Sequence, residues 1–144
     1  MGTDRNGRRY GSFPTTADVG IFGSARSPEA LFEALALALF ALMTDRRAVR
    51  PTEERTVRAS GGDLPSLVVG FLSELVVLHD TEGFLVRDLR VRLRGSPPTS
   101  LEAVVRGEPF DAARHARHVE VKAVTLHRLE IRLDPPRARV ILDI

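Results

Sequence analysis

The sequence predicts an α+β fold: two helices packed on a largely antiparallel β-sheet within one compact domain. Three observations point there. Two stretches repeat apolar residues at helical spacing, several others alternate with period two, and most of the strand-like stretches follow the second helix. Strands clustered after helices favour antiparallel pairing over a doubly wound sheet. The chain has 144 residues. That length suits a single domain able to bury about two-thirds of its unfolded surface.

Residues 1–12 are polar and Gly-rich and read as a flexible, Arg-rich N-terminal arm ahead of a domain over residues 13–144. Residues 16–22 read as an opening strand. Ser27, Pro28 and Glu29 form a helix start: a capping hydroxyl, a proline suited to the first turn, and an acid at the positive end of the helix dipole. Leu31, Leu35, Ala38, Leu39 and Leu42 follow at helical spacing. Phe32, Ala36, Phe40 and Met43 widen the apolar side, so this helix is expected to be buried on more than one face before it stops near Thr44 and Asp45. Residues 53–60 suit a strand. A second helix starts at Asp63, carries Leu64, Leu67, Val68, Phe71, Leu72, Leu75 and Val76, and ends at Gly83.

Leu89, Val91 and Leu93 then alternate with Arg90, Arg92 and Arg94, and Leu129, Ile131 and Leu133 with Arg128, Glu130 and Arg132. Both predict half-buried strands. Residues 101–107, 119–126 and 137–144 are further strand candidates, and Ser96-Pro97-Pro98 and Asp134-Pro135-Pro136 fall where hairpin turns belong.

Charge and composition narrow the function. Of 21 basic residues, 20 are arginine, and Lys122 is the only lysine. Beyond residue 10 the basic and acidic side chains balance, so any nucleic-acid contact is confined to a local patch and the arm. The chain has no cysteine, which excludes disulfides, thiolate nucleophiles and cysteine-ligated metals. The longest unbroken apolar run, residues 34–43, is too short to span a membrane, and the N-terminus lacks a signal-peptide core. A cytoplasmic domain without membrane association is expected. Phosphate-loop and nucleophile-elbow motifs are absent.

Several groups could carry chemistry. The last strand ends Val140-Ile-Leu-Asp143-Ile144, so the Asp143 carboxylate and the terminal carboxylate of Ile144 are near neighbours. Asp18 lies in the opening strand. If the first and last strands adjoin, three carboxylates converge, a hard oxygen set suited to Ca²⁺, Mg²⁺ or Mn²⁺ and not to zinc. The alternative is a frayed terminus with solvated charges. Lys122 shares a strand face with Glu120. It reads either as half of an exposed ion pair or as a compact cation aimed at a phosphate or an acidic partner. His115 and His118 read as polar surface histidines of a loop, or as two metal ligands lacking a third. His79 and Asp80 read as a helix terminus or an acid–base pair. Arg90, Arg92 and Arg94 form a basic stripe without interleaved aromatics, either a solvated strand face or a contact for nucleic acid or an acidic partner.

Taken as a set, six segments resemble the archease family. They are Thr16-Ala-Asp-Val-Gly-Ile21; Ala38-Leu-Phe40 with Met43-Thr-Asp45; Asp80-Thr-Glu-Gly83; Gly107-Glu-Pro-Phe-Asp111 with Arg114-His115; Glu120-Val-Lys-Ala-Val-Thr125 with His127; and Arg139-Val-Ile-Leu-Asp-Ile144. The resemblance implies a compact α+β domain that is not itself an enzyme. It implies an activator of the RtcB-type RNA ligase of tRNA splicing and RNA repair, promoting guanylylation of the ligase and its repeated turnover. RNA would be met only through the ligase. A divalent metal, often Ca²⁺, is implied on the residues matching Asp18, Asp143 and Ile144, and a part in activation for Lys122. Two positions depart from the family pattern: Thr15 stands where a histidine is common, and Leu126 where an aromatic precedes the motif histidine. A metal-dependent phosphoester-processing enzyme and an RNA-binding, chaperone-like module are the alternatives.

Overall fold

The computed structural model describes residue 4 and residues 6–144. The rest of the expected arm, residues 1–3 and 5, lies outside the described residues. In chain order the elements are strands β1 (Arg9–Pro14) and β2 (Val19–Ser24), helix α1 (Pro28–Met43), a 3-10 turn (Arg46–Ala48), β3 (Glu53–Ser60), helix α2 (Leu64–Glu82), β4 (Phe84–Arg94), β5 (Ser100–Pro109), β6 (Ala123–Leu133) and β7 (Pro136–Asp143).

Both helices start as their sequences predict. The Ser27 hydroxyl accepts from the Ala30 N–H and the Asp63 carboxylate from the Ser66 N–H. Gly83 closes α2 at φ 68°, a left-handed conformation that glycine adopts without the penalty a Cβ would bring. Ten of the 16 residues of α1 are buried, because it touches β1, β2 and β7 on one side and β4 on another. By length and composition α2 could cross a membrane, which the short apolar runs had not suggested. Its apolarity has another use here: Leu67, Val68, Phe71, Leu72, Leu75 and Val76 are buried, and the helix packs against β3, β4 and β6.

The strands form two antiparallel sheets and not one, in the orders β1-β2-β7-β6 and β3-β5-β4. The helices lie between them and touch strands of both. Alternation had defined the faces of the strands, and it holds: Leu89, Val91, Leu101, Ala103 and Val105 are buried while Arg90 and Arg92 are exposed.

The expected boundary at residue 13 moves. Arg9–Ser12, assigned by composition to a flexible arm, pair with Ile21–Ser24 as part of β1. Arg8 is 4% exposed, and its guanidinium meets Asp4, Glu33 of α1 and Asp88 of β4 at 2.8, 3.1 and 3.1 Å. The opening strand read over residues 16–22 begins instead at Val19. The strand read over residues 119–126 begins at Ala123 and continues through 133, interrupted by a register shift between Thr125 and Glu130 with Arg128 at φ 54°. The turns at Ser96-Pro97 and Asp134-Pro135 sit between paired strands, as predicted.

Candidate functional site

The first and last predicted strands do adjoin: β2 pairs with β7 from Val19–Leu142 to Ser24–Arg137. On the other side of β7, the β6 pairing reaches Ala123–Asp143, and the Lys122 N–H donates to the Asp143 carbonyl at 2.8 Å. Asp18 is the residue before Val19, and Asp143 the residue after Leu142. Asp18, Asp143 and Lys122 therefore meet at one end of the four-stranded sheet. Leu142 is fully buried, so alternation turns Asp143 away from the core, where it is exposed.

Asp18 lies in the β1–β2 turn and not in a strand. Thr15 holds that turn. Its hydroxyl accepts from the Asp18 N–H at 3.0 Å, and its own N–H donates to the Asp18 carbonyl at 3.3 Å. Next to it, the Phe13 ring lies directly over Gly20, where any Cβ would overlap the ring. The Arg139 guanidinium sits 4.2 Å from the Phe13 ring centre. Threonine at position 15 thus sets the backbone that carries Asp18. Thr15→Val is expected to lower stability by about 0.5–1.5 kcal/mol, the net worth of one hydrogen bond, with Thr15→Ser close to the parent. Urea unfolding of both variants measures this, and a Val variant as stable as the parent would remove Thr15 from that role.

Lys122 and Asp143 are exposed, Ile144 is 38% exposed and Asp18 is half-buried. None of the four forms an ion pair among the described residues. Carboxylates without a compensating cation at one sheet end would favour a cation beside them. Among the described residues no three His, Cys, Asp or Glu side chains come together as a metal cluster. Asp18 and Asp143 would thus supply two donors, and a third would have to be a main-chain or terminal carboxyl oxygen. Such an all-oxygen set fits a hard divalent cation.

His115 is not the surface histidine its loop suggested. It is 5% exposed, and both ring nitrogens are engaged. Nδ1 accepts from the Asp111 N–H at 2.8 Å, which leaves the proton on Nε2 to donate to Glu108 at 2.9 Å. Neither nitrogen has a lone pair for a metal, and His118 is exposed. Glu108 also receives Arg114 Nη2 at 2.6 Å and the Arg50 N–H at 2.7 Å. The Arg114 guanidinium, helped by those N–H donors, pulls the Glu108 carboxyl down to about 2. Periodicity carries no sign of this buried cluster. Its one trace in the sequence was the Gly107–Asp111 segment with Arg114 and His115. His79 is likewise committed, with Nδ1 3.2 Å from the Phe84 carbonyl, and Asp80 is exposed.

Comparison with known proteins gives a consistent result over most of the chain. A model described as the Archease protein family matches residues 10–144. The protein archease of Thermococcus gammatolerans is 42% identical over 125 residues, covering 86% of this chain and 88% of that protein. The protein archease of Methanopyrus kandleri is 39% identical over 132 residues, covering 90% and 94%. The solution structure of Methanobacterium thermoautotrophicum protein 1598 superposes with a TM-score of 0.76 at 34% identity, covering 94% of this chain and 98% of that one. A Thermotoga maritima crystal structure, described as an archease and possible chaperone, shares the fold at a TM-score of 0.60 and 19% identity, covering 92% and 94%.

Proposed function

The chain belongs to the archease family, and from that premise we propose that it is a cytoplasmic, non-enzymatic activator of an RtcB-type RNA ligase in tRNA splicing and RNA repair. It would promote guanylylation of the ligase and so allow repeated turnover. The observation that carries this is the meeting of Asp18, Asp143 and Lys122 at one sheet end, where two carboxylates and an ammonium group stand without ion-pair partners among the described residues.

Asp18, Asp143 and the terminal carboxylate of Ile144 would hold a divalent ion, with Ca²⁺, Mg²⁺ and Mn²⁺ all suited to the oxygen set. When bound, such an ion supplies charge neutralisation at a phosphate. The chain's own residues position the rest. The Thr15 hydroxyl holds the turn that carries Asp18. The hydrogen bond from the Lys122 N–H to the Asp143 carbonyl keeps lysine and carboxylate in fixed register. The Lys122 head group, a compact and mobile cation, would lean on phosphate or on ligase carboxylates near the nucleotide site. Together these groups would favour attack of the ligase histidine on the α-phosphate by offsetting the charge that develops there.

The test is guanylylation and multiple-turnover ligation by a cognate ligase, with and without this protein. The parent is expected to raise both. Asp143→Asn is expected to lose at least tenfold in activation, and Lys122→Arg to activate less than the parent despite its retained charge. A guanylylation rate unchanged by the parent protein would overturn the proposal. Calorimetric Ca²⁺ titration reads the metal separately: Asp143→Asn, and a chain extended beyond Ile144, are both expected to bind more weakly.

A further inference from the structure

We infer that the outer face of the three-stranded sheet binds the phosphate backbone of single-stranded nucleic acid through Arg90, Arg92 and Arg94. The strand registers lay this face out in rows. Arg58 lies beside Glu102 and Glu102 beside Arg92; Ser60 lies beside Ser100 and Ser100 beside Arg94; Val104 lies beside Arg90. The face also carries three carboxylates, each in contact with another arginine, although Asp88 shares Arg8 with Asp4 and Glu33. Glu102 meets Arg58 at 3.1 Å, Glu54 meets Arg106 at 2.7 Å, and Asp88 meets Arg8 at 3.1 Å. Arg90, Arg92 and Arg94 form no ion pair among the described residues, and all three are exposed. Three arginines without an ion-pair partner among the described residues therefore stand in a line, with Glu33 and Asp88, which share the single charge of Arg8, bordering the groove of Arg90 and Arg92, and Glu74 that of Arg94.

The arrangement selects its ligand. Residues on one face of a strand repeat about every 6.8 Å, close to the spacing of successive phosphates along an extended single strand. Arginine's planar fork matches a phosphate in a two-bond geometry. Protein partners, by contrast, are usually anchored by large apolar or aromatic side chains at the centre of an interface. The large hydrophobic residues exposed among the described residues are Val77, Leu126 and Ile144, and none lies on this face. Nor is there an aromatic here on which a base could stack. Binding is therefore to the backbone, with little choice of sequence. The face belongs to the three-stranded sheet, while Asp18, Asp143 and Lys122 lie at the end of the four-stranded one. The inference stands apart from ligase activation and is tested on the isolated chain.

The experiment is fluorescence anisotropy with a labelled, unstructured oligouridylate over a salt series. For three phosphates neutralised on a single strand, the logarithm of the affinity is expected to fall against the logarithm of salt with a slope of about −2. Arg90→Gln with Arg92→Gln and Arg94→Gln should weaken binding at least tenfold at low salt and flatten the slope, with the melting curve unchanged. The control removes equal charge elsewhere through Arg26→Gln, Arg132→Gln and Arg137→Gln, and should keep most of the affinity. Equal losses in both triple variants, or no binding by the parent at low salt, would overturn the inference. Polyglutamate competing as well as oligouridylate at equal charge would overturn it in favour of an acidic protein surface. Should the triple variant melt early, Arg92→Glu alone, flanked by two arginines, carries the same prediction at smaller amplitude.

Discussion

Replacing Glu108 by alanine is expected to cost about 3–5 kcal/mol, because it takes away one member of a buried ionic network and leaves its partners behind. The Arg50 N–H and the His115 Nε2–H lose their acceptor, and the Arg114 guanidinium loses its closest carboxylate. The loop from Asp111 to His118 loses its anchor with them, since His115 ties that loop to Glu108 from its position within it. The loss depends on pH. Glu108 titrates at about 2 in the folded protein, below an unfolded carboxylate. A depressed acid contributes stability that is present above its unfolded value of about 4.3 and is lost as pH falls through its folded value. The gap between parent and Glu108→Ala should therefore be full at about pH 7 and narrower at about pH 3. Urea unfolding at the two pH values checks this, and a gap that widens towards acid would contradict it.

Arg8→Met is expected to be of similar size, again about 3–5 kcal/mol, with the same kind of cause and its own dependence on pH. Arg8 is the buried cation shared by Asp4, Glu33 and Asp88. Burial pushes the Glu33 carboxyl above its ordinary value, while the Val91 N–H and Arg8 pull it back. Removing Arg8 lets it rise further. An acid whose folded value is raised is at its best below the unfolded value, and its contribution is lost as pH rises through the folded one. The deficit of Arg8→Met should thus be larger at about pH 7 than at about pH 4. Adding Glu33→Gln should restore part of the loss at neutral pH, because the uncompensated charge is then gone while the Val91 N–H keeps an oxygen to donate to. A double variant no better than Arg8→Met at neutral pH would show that the loss comes from packing of the long side chain and not from charge.

Neither network shows in the pattern of residues along the chain, whereas both helices do. Ser27, Asp63 and Gly83 act locally, on backbone groups within a few residues, and such effects are legible in a sequence. Alternation is local too. It assigned Arg90 and Leu89 to opposite faces correctly, yet it says nothing about which strand lies alongside, so one sheet was expected where two form. The residues Arg9–Ser12 read as an arm because β1 is an edge strand with few apolar side chains: Tyr10 and Phe13 are half-buried, and glycine and serine fill the space between. The kinked β6 reads as two strands in the sequence, since a register shift between Thr125 and Glu130 breaks the period without ending the strand. At the candidate site, the sequence places Asp18 and Asp143 at one sheet end only on the condition that the first and last strands adjoin, and the pairing of β2 with β7 meets that condition. The part played by Thr15 could not be read, because a threonine that caps a turn looks like any other threonine until the turn is seen.

The pairing of Ile21 with Val140 spans nearly the whole chain, while β3, β5 and β4 lie together between Glu53 and Pro109. On a ribosome this orders events. The three-stranded sheet and α2 can assemble as soon as residue 109 has emerged, but β2 must wait for the last strand to be synthesised. The row holding Asp18, Asp143 and Lys122 is therefore among the last parts of the molecule to exist, and a nascent chain stalled before β7 would expose the unsatisfied edge of β2 to whatever strand it met.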